Sequence, residues 1–72
     1  MDASQCKMAR VALGLSAVNL AEVAGVARLT VARFESGKAI SRESLEAIEQ
    51  ALLDAGAQFL KRSGRKGVTV PD

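Results

Sequence analysis

The chain contains no histidine and only one cysteine, Cys6. A lone cysteine cannot close a disulfide within the chain, and without histidine no Cys/His set has the spacing of a zinc site. No metal and no cofactor are therefore expected. The same shortage removes the Ser/His and Cys/His pairs that drive nucleophilic and acid–base chemistry, and there is no glycine-rich phosphate loop. The residues thus argue against an enzyme and against a small-molecule substrate. No apolar run approaches the roughly 18 residues of a membrane span. The opening Met1, Asp2, Ala3, Ser4 lacks the basic and apolar regions of a signal peptide. A cytoplasmic location with no membrane partner follows as the expectation, and Cys6 reads as a small core residue of the first helix.

What is present is a 72-residue chain, 49% hydrophobic and 25% charged. That is the composition of a folded domain, of a size that buries only about 60% of its unfolded surface. Gly14, Gly25, Gly37 and Gly56 each follow an Ala/Leu/Val-rich segment about as long as a short helix, where a glycine suits a left-handed C-terminal cap. Asp2, Ser16 and Ser41 stand where N-caps are needed, and Gln5 completes a capping box with Asp2. Leu15 with Leu20, Val26 with Val31 and Ile40 with Leu45 have the spacing of hydrophobic staples. Four helices are predicted, over Ala3–Leu13, Ala17–Ala24, Arg28–Ser36 and Arg42–Ala55. After Gly56, the β-prone runs Ala57–Leu60 and Gly67–Val70 flank a polar stretch, Lys61–Lys66. These read as a C-terminal hairpin, the alternative being a frayed basic tail.

Only Gly25, Val26 and Ala27 separate the second and third helices, the tight glycine-containing connection of a helix-turn-helix. At about 100° per residue, Ala27, Thr30, Val31 and Phe34 fall on one arc of the third helix and face the core. Leu20, Ala21 and Ala24 of the second helix oppose them. Arg28, Leu29, Ala32, Arg33 and Ser36 fall on the other arc. Arginine can donate a bidentate pair to guanine, leucine can meet a thymine methyl, and alanine keeps the backbone close. The plainer readings are a solvated arginine, or one paired with Glu22 or Glu35, and a Leu29 packed on another helix or subunit.

At these residues the sequence resembles the lambda-repressor-like helix-turn-helix family of phage repressors, Cro proteins and small bacterial regulators. The match runs through Gln5, Ala9, Arg10, Leu13 and Gly14, then Leu15, Ser16, Leu20, Ala21, Ala24, Gly25 and Val26. It is most specific in the run VARFESGK, Val31–Lys38. The resemblance implies a mainly α, four-helix domain over residues 1–56; residues 57–72, the hairpin or tail, are expected to join the fourth helix as a dimerisation element. It also implies an ion pair between Arg10 and Glu35. Ala17 stands where the family often has a phosphate-touching glutamine, and Ala27 replaces the usual Ser or Thr cap. Phosphate contacts are accordingly expected from Ser16, Asn19, Ser36, Lys38 and Arg42, and base contacts from Arg28, Leu29, Ala32 and Arg33.

From Gly25 to Arg42 four cations face one acid, a net +3, whereas Glu43–Gln58 carries −4. The fourth helix is therefore not expected to face DNA. A module this small is expected to bind double-stranded DNA as a homodimer on an inverted repeat, with Leu45, Ile48, Leu52 and Phe59 at the interface. The function expected is transcriptional regulation, most simply repression. The rival is a protein-interaction module, such as an antitoxin or antiactivator, that uses the same face.

Overall fold

Three of the four helices start on a side-chain cap. A computed structural model describes residues 1–72, with helices α1 (Ala3–Ala12), α2 (Ala17–Ala24), α3 (Arg28–Glu35) and α4 (Arg42–Asp54), then strands β1 (Gln58–Arg62) and β2 (Arg65–Thr69). The Asp2 carboxylate accepts from the Gln5 amide at 2.9 Å while Gln5 Oε1 accepts from the Asp2 amide at 3.1 Å. Ser16 and Asn19 form the same reciprocal box at 3.0 and 3.4 Å, and Ser41 Oγ accepts from the Ser44 amide at 3.1 Å. Each cap satisfies a first-turn amide that has no partner within the helix, worth about 1 kcal/mol. Three helices end one residue short of the sequence expectation, at Ala12, Glu35 and Asp54, because Leu13, Ser36 and Ala55 are C-caps.

Every helix contributes to one core, made of Cys6, Ala9, Leu20, Ala21, Val31, Ile48, Ala51, Leu52 and Ala57. Ile48 and Leu52, expected at a subunit interface, are both 0% exposed and so belong to the interior of the single chain. The correction has a simple cause. A chain with two phenylalanines and no tryptophan or tyrosine closes its core with aliphatic side chains, and α4 supplies the two largest after Leu20. Leu45 and Phe59 are half-buried, with Phe59 packed against the core. Leu53 is what α4 leaves outside.

The hairpin is longer than its apolar runs suggested. The strands pair antiparallel from Gln58 opposite Thr69 to Arg62 opposite Arg65, so the polar stretch is mostly strand and only Ser63 and Gly64 form the turn. Both turn residues have positive φ, 53° and 74°, as a type I′ turn requires to match the twist of the strands. Gln5 anchors the ribbon on α1. Its Nε2 donates to the carbonyls of Leu60 at 3.1 Å and Gly67 at 3.4 Å. Lys66 Nζ lies 2.6 Å from Asp2, and that hydrogen bond, with the Gln5 amide, holds the Asp2 carboxyl well below the usual carboxylate range. At the other end Pro71 folds over Gly56, where φ is +103° and an added Cβ would lie 2.4 Å from Pro71 Cγ.

One polar cluster joins α1 to α3. Arg10 Nε and Nη2 donate to the two oxygens of Glu35 at 2.9 and 3.0 Å, and Nη1 donates to the Leu15 carbonyl at 3.0 Å. The pair is largely shielded, with side chains 14% and 11% exposed, a planar bidentate geometry that lysine could not reproduce. Beneath it Cys6 Sγ donates to Glu35 Oε2 at 3.4 Å. Burial, then the Glu35 carboxylate, pushes the Cys6 thiol up to about 12.

Arg10→Ala is expected to cost about 3 kcal/mol by leaving Glu35 uncompensated, lowering Tm by roughly 10 °C or more; an unchanged melting curve would show that the pair holds nothing. At pH 8 the folded protein should resist iodoacetamide at Cys6 and react only on unfolding, so stoichiometric labelling without denaturant would contradict the packing described. Asp2 titrates lower in the folded chain than in the unfolded one. Its contribution to stability is therefore present above the ordinary value of 3.8 and is lost as pH falls through the folded value. Asp2→Asn, which keeps a capping oxygen, should melt below wild type at pH 7, with the gap closing towards pH 2; a gap independent of pH would refute the Lys66 contact.

Candidate nucleic-acid interface

The angle between α2 and α3 is set by three residues. Gly25 turns the chain with φ +73°, its amide and that of Val26 donating to the carbonyls of Glu22 at 3.2 Å and Ala21 at 3.0 Å. A side chain at Gly25 would meet nothing within 4 Å, so the demand for glycine is conformational, about 1–2 kcal/mol for other residues in that region. Leu20 and Ala21 on one helix and Val31 on the other are buried, with Ala24 and Phe34 packed at their edge. These contacts fix which way α3 faces.

Arg28, Leu29, Ala32 and Arg33 all point outwards, with Leu29 66% exposed. Neither arginine forms an ion pair: Glu22 takes no part in one and Glu35 is held by Arg10. Leu29 packs on no other part of the chain's core. The surface is thus a cationic ridge with a projecting leucine and a low point at Ala32, chemistry compatible with a major groove. Ala27, expected on the core arc, is exposed instead. It is the N-cap, extended at φ −69° and ψ 143° with no side-chain cap bond, so helical angles do not describe where it points.

The flanking residues divide. Ser16 and Asn19 stand together at the start of α2, each using an oxygen in the capping box, and Asn19 Nδ2 and the amides of Ala17 and Val18 make no hydrogen bond within the chain. Lys38 is exposed and unpaired, beyond the end of α3. Arg42 is 91% exposed and meets Glu46 only at 3.8 Å, a surface contact of little energy. Ser36 departs from expectation, since its hydroxyl donates to the Ala32 carbonyl at 2.8 Å. Its only proton is committed, and with it the means of donating to a phosphate oxygen. Gln5, which the sequence marks as a cap and a family-matching residue, is also the tie between α1 and the hairpin, buried at 7% exposure.

No helix is long and apolar enough to cross a membrane. No curated protein matches the chain. The profile of a family described as helix-turn-helix matches residues 7–52, more than half of the chain, from the middle of α1 to the buried end of α4. That span holds the glycine elbow, the Arg10–Glu35 pair and the cationic ridge together. The chain therefore belongs to the lambda-repressor-like helix-turn-helix family, whose members are DNA-binding regulators rather than enzymes.

Proposed function

We propose that this protein is a sequence-specific transcriptional repressor that binds an inverted-repeat operator as a homodimer. The observation that carries the reading is the outer face of α3, where Arg28, Leu29 and Arg33 project with no partner in their own chain. In this reading α3 enters the major groove. Arg28 and Leu29, near its N-terminus, meet base edges, with Ala32 and Arg33 alongside. The amides and Asn19 at the start of α2, with Lys38 and Arg42 beyond α3, hold phosphates and set the register. Repression by occupancy follows most simply, since a module seated on its operator excludes other proteins from the same duplex. Two copies on half-sites about 34 Å apart supply the affinity that one small module lacks.

A gel shift at physiological salt, with sequences selected from random duplexes, tests the reading. Retarded complexes with an inverted repeat support it; no shift on any duplex, with capture of a protein partner through Arg28 and Leu29, points to an interaction module instead. On the selected operator, Arg28→Ala should lose about 1–3 kcal/mol and relax preference at one base position. Lys38→Ala should weaken all sequences alike and reduce the salt slope by about one. Equal losses on every sequence for both variants would show that the assignment of bases and phosphates is wrong.

A further inference from the structure

The cations at the hairpin tip are poorly provided for within the chain. Lys61 stands opposite Lys66 and Arg62 opposite Arg65, and like charges directly across an antiparallel pair destabilise it. Only Lys66 finds an acid; Lys61, Arg62 and Arg65 form no ion pair. Side chains alternate across a ribbon, so Leu60, Arg62 and Arg65 share the face turned away from α1, the opposite side from half-buried Phe59. Leu60 is 49% exposed there and has Gly67 opposite, with no side chain to cover it.

The outer face of α4 has the complementary character. Glu46, Glu49, Gln50 and Leu53 line a shallow hollow, Leu53 is 42% exposed, and Asp54 adds a further carboxylate beside it. Two cations lie nearby: the Met1 ammonium stands 4.0 Å from Glu49, and Arg42 meets Glu46 at 3.8 Å in a contact open to solvent, so Glu46 and Asp54 carry most of the charge left on this face. Only Ala55, Gly56 and Ala57 separate the two elements, so a basic surface with a leucine knob and an acidic surface with a leucine-edged hollow occur together on each subunit.

We infer that these two surfaces meet between copies of the chain: the hairpin's outer face of one copy seats on the outer face of α4 of the other, and a two-fold axis repeats the contact in reverse. The inference rests on the proposed two-copy regulator and names the surface that joins the copies. It replaces Ile48 and Leu52, which lie inside the subunit, with Leu60 and Leu53, which do not. DNA phosphate is the competing anion for the hairpin tip. The Lys66–Asp2 contact places that tip at the N-terminal end of α1, and α1 extends about 15 Å before the chain turns to Ser16 and the donors of α2.

Sedimentation equilibrium on three full-length proteins tests this: wild type, Arg62→Glu/Arg65→Glu, and Glu46→Lys/Asp54→Lys. All four positions changed are exposed, and matched melting curves confirm folding; Arg62→Gln/Arg65→Gln substitutes if the reversed hairpin fails to form. Wild type should dimerise with an affinity that falls roughly tenfold from low to moderate salt. Each reversed variant alone should associate at least about tenfold more weakly. An equimolar mixture of the two should regain wild-type affinity, because both reciprocal contacts again join opposite charges. Wild-type association in either variant alone, or a mixture that stays monomeric, would overturn the inference. So would a monomeric wild type, or a hairpin variant that associates normally but loses affinity for a single half-site duplex, which would make the tip a phosphate contact. Failure of wild type to bind any half-site would instead remove the DNA reading and leave the interface standing.

Discussion

The pair formed by Arg10 and Glu35 is the contact on which the rest turns. It ties the first helix to the third across a largely shielded gap of 2.9 Å, and its third donor secures the Leu15 carbonyl where the chain turns into α2. Its second consequence is electrostatic. Glu35 is the only acid between Gly25 and Arg42, and once it faces inwards to Arg10 the outer side of α3 has no carboxylate to quench its arginines. A single bidentate bond thus braces the helix-turn-helix and leaves the outer face of α3 positively charged. Cys6 adds to the same cluster as a donor, and its full burial makes it a packing residue.

The remainder of the chain separates charge in space. The cationic ridge on α3 and the acidic outer face of α4 occupy different surfaces, and Ile48, Ala51 and Leu52 fill the space between α4 and the other helices. A field of this kind repels a duplex from one side of the subunit and attracts it to another, which favours one docking orientation and speeds encounter. The hairpin is fastened to α1 by Gln5 and Lys66 and closed by Pro71 over Gly56. It is therefore a built part of the fold, and it carries Lys61, Arg62 and Arg65 on its exposed end.

Much of this was legible in the residues. Caps and glycine stops are local chemistry, so Asp2, Ser16, Ser41 and Gly25 marked the helices to within a residue. The 100° rotation placed Val31 inside and Leu29 outside because α3 is regular over that stretch. Rotation misplaced Ala27 because the residue before a helix does not obey helical angles. The strand ends were missed because polar composition was read as loop, while the deciding signal was the Ser63–Gly64 pair that accepts positive φ. Ile48 and Leu52 were set at a subunit interface because counting apolar positions does not reveal how many a small core consumes. Ser36 differs from the expected phosphate contact because a serine in the last turn of a helix can bond back to the carbonyl four residues earlier, which its polarity alone does not reveal.

The central claim is that the outer face of α3, freed of Glu35, is where DNA binds. Titrating the isotopically labelled protein with its selected operator and following backbone amide shifts tests this most directly. The account predicts that the largest and earliest changes fall on Ala27–Arg33 and on the first turn of α2, with α4 little affected. Changes concentrated on α4 or the hairpin tip, with α3 unmoved, would contradict it.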